Sequence, residues 1–194
     1  QGSEAMIENG DKPLLQIVPQ QKADASIDSL AYQYHLQGDA LAGKATYQLR
    51  GDMKEWFMSI IDDAGNKNSD DILANNLNAD THNMTVSDVK WTDQDARHEW
   101  ARFTGNIVNK PAVQQMDGEI YIELNPHNNL FDNRIDTTGR SNDYYFPVRC
   151  NIVRQASLLI PTGYKVDYLP PSAKFSTPEG ILTCHFSRKG NTIL

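Results

Sequence analysis

The chain lacks any long hydrophobic run. None of its apolar stretches approaches the roughly 20 residues that a membrane-crossing helix needs. Cysteine is scarce: Cys150 and Cys184 are the two in 194 residues. Two cysteines cannot make a disulfide framework, and theirs is not a zinc-type spacing. Positive charge is also short, with 18 Lys+Arg against 25 Asp+Glu and a net charge of −7. The longest basic run is "SRK" at 187–189. Nucleic acid and anionic membranes reward clustered Lys and Arg, so neither is an expected partner. The polar opening "QGSEAMIENGDKP" has no apolar signal-peptide core. The chain is therefore expected to be cytosolic or a piece of a larger exported protein.

Catalytic motifs are equally sparse. There is no P-loop, no GxGxxG and no GxSxG. His35, His82, His98, His127 and His185 are scattered and form no HxH, HxxxH or HExxH set, so no metal and no cofactor is expected. "LNADTHNM" and "NPHNNLFDN" carry oxygen ligands without the order of a calcium loop. Cys150 and His185 invite comparison with a thiol nucleophile and its base. However, Cys150 sits in the strand-like "PVRCNIV", and no acid follows His185. A carboxylate pair for glycoside hydrolysis is set by space, and nothing in the sequence singles out two of the 25 acids.

What remains is ordinary globular material, 39% hydrophobic and 22% charged, long enough to bury a core. "PLLQIVP" reads as an edge strand bracketed by Pro13 and Pro19. In "ASIDSLAYQYHLQGDALAGKATYQLRG", Leu30, Tyr32, Tyr34 and Leu36 alternate with more polar residues and should face the core. "QGDALAG" is the expected turn of this hairpin and "KATYQL" its returning strand. At Asp52 the period changes. Met53, Trp56, Phe57, Ile60 and Ile61 mark one face of a helix over 52–62, with Asp52 as cap and Glu55 completing a capping box. Trp56 and Phe57 are expected in the core. Ser69 should cap a second helix over 69–77 carrying Ile72, Leu73 and Leu77.

From residue 84 alternation returns. "MTVSDVKW", "HEWARFTGNIV", "GEIYIEL", "FPVRCNIVRQASLLI", "YKVDYL", "AKFSTP", "ILTCHFS" and "NTIL" read as strands, with turn signals between them. In these strands Cys150 and Cys184 would point inward as buried free thiols, with a bridge between neighbouring strands as the alternative. In "IPTGYKVDYLP", Pro161 and Gly163 suit a type II turn, and Tyr164, Val166 and Tyr168 would share a face of the strand after it. An unpaired edge at "NTIL" would be an association hazard.

The most distinctive irregular segment is 123–147, "ELNPHNNLFDNRIDTTGRSNDYYFP". Phe131, Tyr144 and Tyr145 are its candidate binding residues, as an aromatic platform for a sugar or peptide. The plainer role is that Phe131 and Tyr145 anchor the loop while Arg134 and Arg140 hold its turns by hydrogen bonds.

The order of these features resembles a known family. "LNP" at Leu124–Pro126, "YFPV" at Tyr145–Val148, "IPTGYKVDYLP" at Ile160–Pro170 and "GNTI" at Gly190–Ile193 follow a pattern of LNP, R.YPV, IP.GY.VE.LP and GN.I. It is similar to the β domain downstream of the transglutaminase-like core in large bacterial cell-envelope proteins. The resemblance implies that the Cys–His–Asp core lies upstream, outside these residues, and that the downstream domain normally runs on past "NTIL". It also implies an exported, periplasmic or envelope setting.

The expected fold is mainly β: an antiparallel, Greek-key-like β-sandwich with two short helices. Residues 1–194 would form one domain with a helical insertion at 52–80; the alternative is a split into 1–80 and 81–194. The expected role is a non-catalytic accessory or scaffold domain whose partner is the upstream transglutaminase-like domain of the same protein. The alternatives are a carbohydrate- or peptide-binding module using loop 123–147, and a hydrolase with a spatial carboxylate pair.

Overall fold

The computed structural model describes residues 4–8, 10, 14–19, 21–65, 69–78, 84–93, 98–124, 141, 148–178 and 180–194. The described residues are mainly β, with two α-helices. β1 (Glu4–Ile7) and β2 (Leu14–Ile17) form a hairpin, so "PLLQIVP" has a partner that alternation did not reveal. Pro13, one of its expected brackets, lies outside the described residues. A 3₁₀ turn at Ala23–Ala25 leads into β3 (Ile27–Gln37) and β4 (Ala40–Arg50). Next come α1 (Asp52–Ala64), α2 (Ser69–Leu77), β5 (Met84–Asp93) and β6 (Trp100–Asn109). β7 (Val113–Met116) and β8 (Glu119–Ile122) make a hairpin, followed by β9 (Asn151–Leu159). β10 (Ala173–Ser176) pairs with β11 (Ile181–Cys184), and β12 (Arg188–Lys189) with β13 (Thr192–Ile193).

Seven strands form one sheet in the order β12-β13-β9-β3-β4-β6-β5. Its neighbours are antiparallel except β3 and β9, which run parallel from Ile27 opposite Asn151 to His35 opposite Leu159. The sheet takes strands from both sides of residue 80. Thr192–Ile193 is not an open edge, because β13 lies between β12 and β9. The β3–β4 turn is tighter than expected: Gln37 pairs with Ala40, so "ALAG" belongs to the returning strand.

One face of the sheet carries the core. Leu30, Tyr32 and Tyr34 of β3 are buried there, and Leu36 packs at its margin, as their alternation predicts. Opposite them stand Tyr47, Ala45 and Leu41 of β4, then Phe103, Gly105 and Ile107 of β6. Both helices pack on this face. Phe57 of α1 stacks on Phe103 at 5.4 Å, and Phe103 stacks on Tyr47 at 5.1 Å. Leu73 and Leu77 of α2 are buried. Leu77 can approach because Gly105 has no Cβ: one built there would lie 2.9 Å from the Leu77 side chain. A fully buried aromatic such as Phe103 contributes roughly 1.5–3 kcal/mol over its exposed state.

The start of α1 differs from the expected capping box. Asp52 is the first helical residue, and the cap position belongs to Gly51, which has no side chain to offer. The cap comes from a distant residue. The buried Ser26 Oγ accepts the Met53 N–H at 3.1 Å and donates to the Arg50 carbonyl at 3.4 Å. Gly51 takes φ +62°, and a Cβ there would meet the Ala25 carbonyl oxygen at 2.3 Å. Strand and helix thus meet in a corner that admits only glycine. On α1, Phe57 is buried as expected, but Trp56 is 61% exposed and Lys54 takes a buried place instead. The Lys54 aliphatic stem packs while its Nζ donates to the His98 carbonyl at 2.6 Å.

Three further expectations change. Residues 164–170 form no strand: Val166 and Leu169 pack toward the core, whereas Tyr164 and Tyr168 face solvent. Both neighbours of β9 are already taken by β3 and β13, and prolines follow at 170 and 171. The turn itself holds, with Gly163 at φ +90° and the Tyr164 N–H donating to the Pro161 carbonyl at 3.2 Å. β9 starts only at Asn151, so Cys150 precedes the strand. Both cysteines are free, but Cys150 is only half-buried and Cys184 is exposed.

Two substitutions test the corner by chemical denaturation. Gly51→Ala should lower unfolding free energy by at least about 2 kcal/mol, combining a disfavoured positive φ with a backbone clash. Ser26→Ala should cost about 1–2 kcal/mol for the lost cap.

Candidate functional site

The candidate binding residues Phe131, Arg134, Arg140, Tyr144 and Tyr145 lie outside the described residues, as do His82 and His127. The other histidines are dispersed. His35 is exposed on the sheet, His98 is exposed near Lys54, and His185 is exposed with its Nδ1 3.0 Å from Ser172 Oγ. Among the described residues, no three His, Cys, Asp or Glu side chains gather where they could hold a metal ion.

The most polar feature of the interior is an ion pair. Asp28 lies at a core-facing position of β3, and Arg154 at the matching face of β9. Their side chains are 10% and 14% exposed. Arg154 Nη1 donates to Asp28 Oδ1 at 2.8 Å and Nη2 donates to Oδ2 at 3.1 Å, a two-pronged clamp. Nη1 also reaches the Asp28 and Val153 carbonyls at 3.1 and 3.0 Å. The guanidinium lies 5.9 Å from the Tyr47 ring centre. Burial penalises the charged Arg154, but the bonds and charge of Asp28 outweigh it and raise its pKa.

Two phenols, Tyr32 and Tyr47, lie beside the pair, and Tyr34 lies next along β3. Tyr32 and Tyr34 stack at 5.4 Å, and the Tyr32 hydroxyl donates to the Leu77 carbonyl at 3.1 Å, tying β3 to the end of α2. Burial raises the pKa of Tyr32, Tyr34 and Tyr47 well above the usual phenol value, and Asp28 adds to the effect at Tyr47.

Cys150 shares this environment. Desolvation, and after it the Asp28 charge, push its thiol pKa upward. A nucleophilic cysteine needs the opposite shift. The ion pair therefore reads as a structural clamp, and it does not lower the pKa of the Cys150 thiol. Sequence reasoning passed over it, although a signal was present: Asp28 has the same parity as Leu30, Tyr32 and Tyr34, and a charge at such a position requires a partner.

A second feature lies at the surface. In the β10–β11 ribbon, Phe175 stands opposite Leu182, and Ala173 opposite Cys184, so these four side chains share one face. Phe175 is 63% exposed and Leu182 is 43% exposed. The other face holds Lys174, Ser176, Ile181 and Thr183. A two-stranded ribbon is marginal alone, and an apolar face of this kind is normally covered.

Comparison with known proteins adds one match. Residues 118–194 match the family described as a domain of unknown function with solved-structure structure (DUF3858). No curated protein and no solved structure matches the chain. The matched segment contains β8 through β13, and so supplies the Arg154 half of the clamp while Asp28 lies before it.

Removing one partner of a buried pair strands the other charge. Arg154→Met or Asp28→Leu should each destabilise by about 3–5 kcal/mol in denaturant titrations, while the double substitution should recover most of that loss. The phenols predict an alkaline effect. Their folded pKa values lie above the unfolded value of 10.0, so the folded state keeps protons that the unfolded state releases. Stability should hold below about pH 10 and fall above it, seen as a declining melting temperature.

Proposed function

We propose that this chain is a non-catalytic accessory module of a transglutaminase-like protein of the bacterial envelope, acting by docking against a neighbouring domain. The observation that carries this reading is the uncovered apolar face of the β10–β11 ribbon, with Phe175 and Leu182 facing solvent. That face lies within the segment matching the domain of unknown function and beside the "IPTGYKVDYLP" motif of the family resemblance. The upward pull of burial and of the Asp28 charge on the Cys150 thiol argues against that cysteine as a nucleophile. The same resemblance supports an exported or periplasmic setting. The glycan- or peptide-binding reading of loop 123–147 rests on residues outside those described, so the ribbon is the better-supported surface.

The test is calorimetric titration of the chain with the transglutaminase-like domain of the same protein. Association is expected. Phe175→Asp and Leu182→Asp should each weaken it by about tenfold or more, because apolar anchors dominate such interfaces. Both positions are solvent-facing, so the melting temperature should hardly change. No association, or association indifferent to both substitutions, would remove the proposal.

A further inference from the structure

On its outer side, away from β3, the strand β9 is covered only at its end. β13 pairs there with Leu158 and Leu159, and the Ile160 N–H donates to the Asn191 carbonyl at 2.8 Å. Among the described residues, no strand stands beside 151–157 on that side. On the β3 side, the Asn151 N–H donates to the Ser26 carbonyl at 2.9 Å. Backbone groups alternate between the two sides of a strand. Ile152, Arg154 and Ala156 therefore turn theirs, like Ile160, into an open lane. The side chains show the same gap. Ile152 and Leu158 lie on the core face, in register with Asp28 and Tyr34. Leu158, beside β13, is 3% exposed, whereas Ile152, beside the lane, is 52% exposed. An unpaired edge of this kind is a template for another strand.

The β1–β2 hairpin is the converse, a pair of strands without a sheet. It pairs with nothing but itself, and none of its residues belongs to the core. Such a ribbon is marginal alone. Ala5, Met6, Ile7, Leu14, Leu15 and Ile17 give it apolar side chains on both faces. Either register against β9 therefore sets an apolar residue beside Ile152. Its described residues carry Glu4 and Glu8 and no base, while Arg149 precedes one end of the lane and Arg188 and Lys189 of β12 flank the other.

The linker carries the hairpin away from the lane of its own molecule. Gln21 and Ala25 line a depression with Arg50, His98 and Glu99, on the β4–β6 side of β3. The lane lies three strand spacings from β4, about 14 Å. The four residues from Ile17 to Gln21 span about that distance only when fully stretched. A second molecule has no such limit.

We propose that the lane beside β9 receives the β1–β2 hairpin of a second copy of this chain and that the exchange is reciprocal, closing a dimer. The contact uses neither Phe175 nor Leu182, so it and docking through the β10–β11 ribbon can fail independently.

The experiment is light scattering of the full chain over a concentration series, with backbone amide exchange read by NMR. A dimer is expected, with the Ile152, Arg154 and Ala156 amides slow to exchange. Leu15→Lys on the hairpin and Ile152→Lys in the lane should each weaken dimerisation by about tenfold or more. Both side chains are exposed, so circular dichroism should not change. Mixing the two variants should restore association, because each supplies what the other lacks. In Leu15→Lys alone the three amides should exchange fast. A monomer with fast amides overturns the proposal. So does a monomer with slow amides, which would mean that the lane is filled from within one chain. A dimer indifferent to both substitutions overturns it as well.

Discussion

The fold depends on a joint at the start of β3. Ser26 uses its hydroxyl to cap α1 and to hold the last carbonyl of β4, while its own carbonyl accepts the Asn151 N–H at 2.9 Å. Two residues on, Asp28 clamps Arg154 of the same β9. Four elements therefore meet within three residues: the beginning of β3, the end of β4, the beginning of α1 and the beginning of β9. The Asp28–Arg154 clamp spans 126 residues of sequence. Parallel pairing needs a crossover connection, and closing one this long costs chain entropy that the clamp and the ladder together must offset. β13 and β12 attach through β9, so the far side of the sheet inherits its place from this joint.

The same joint decides the two characters of the sheet. Once α1 is aimed by Gly51 and Ser26, Phe57 falls onto Phe103 and Trp91, with ring centres 5.4 and 6.0 Å away. The glycine at 105 leaves a gap that Leu77 fills. One face thus becomes a dry aromatic and aliphatic layer. The other mixes hydroxyls, amides and scattered cations with smaller apolar side chains such as Ala31, Ala42, Val108 and Leu159. The division follows from the strand period of two, which sends alternate residues to opposite faces along β3, β4 and β6. The segment matching the domain of unknown function shares its ladder with strands that precede it, so its Arg154 is paired only because Asp28 is there.

The candidate surfaces were unevenly legible. The Asn-rich loop drew attention by composition, but composition says nothing of where a loop lies. The ribbon's apolar face came from pairing Phe175 with Leu182, a cross-strand relation that neither segment shows alone. Arg154 illustrates the same point. Its parity within β9 marks it as odd, but its partner lies in a strand that short-range patterning cannot reach.

By itself the sequence determined what depends on neighbours along the chain. Alternation placed Leu30, Tyr32 and Tyr34 inward, the 3.6-residue period set the helix at Asp52, and Gly163 supplied the positive φ of its turn. Only the tertiary structure decided what depends on distant partners. Ser26 displaced Asp52 as the source of the helix cap, Lys54 took a buried place while Trp56 went to solvent, and residues 164–170 stayed outside the ladder. The physical reason is that periodicity and φ preferences act over a few residues, whereas caps, burial and strand pairing are settled by whichever group arrives from elsewhere in space.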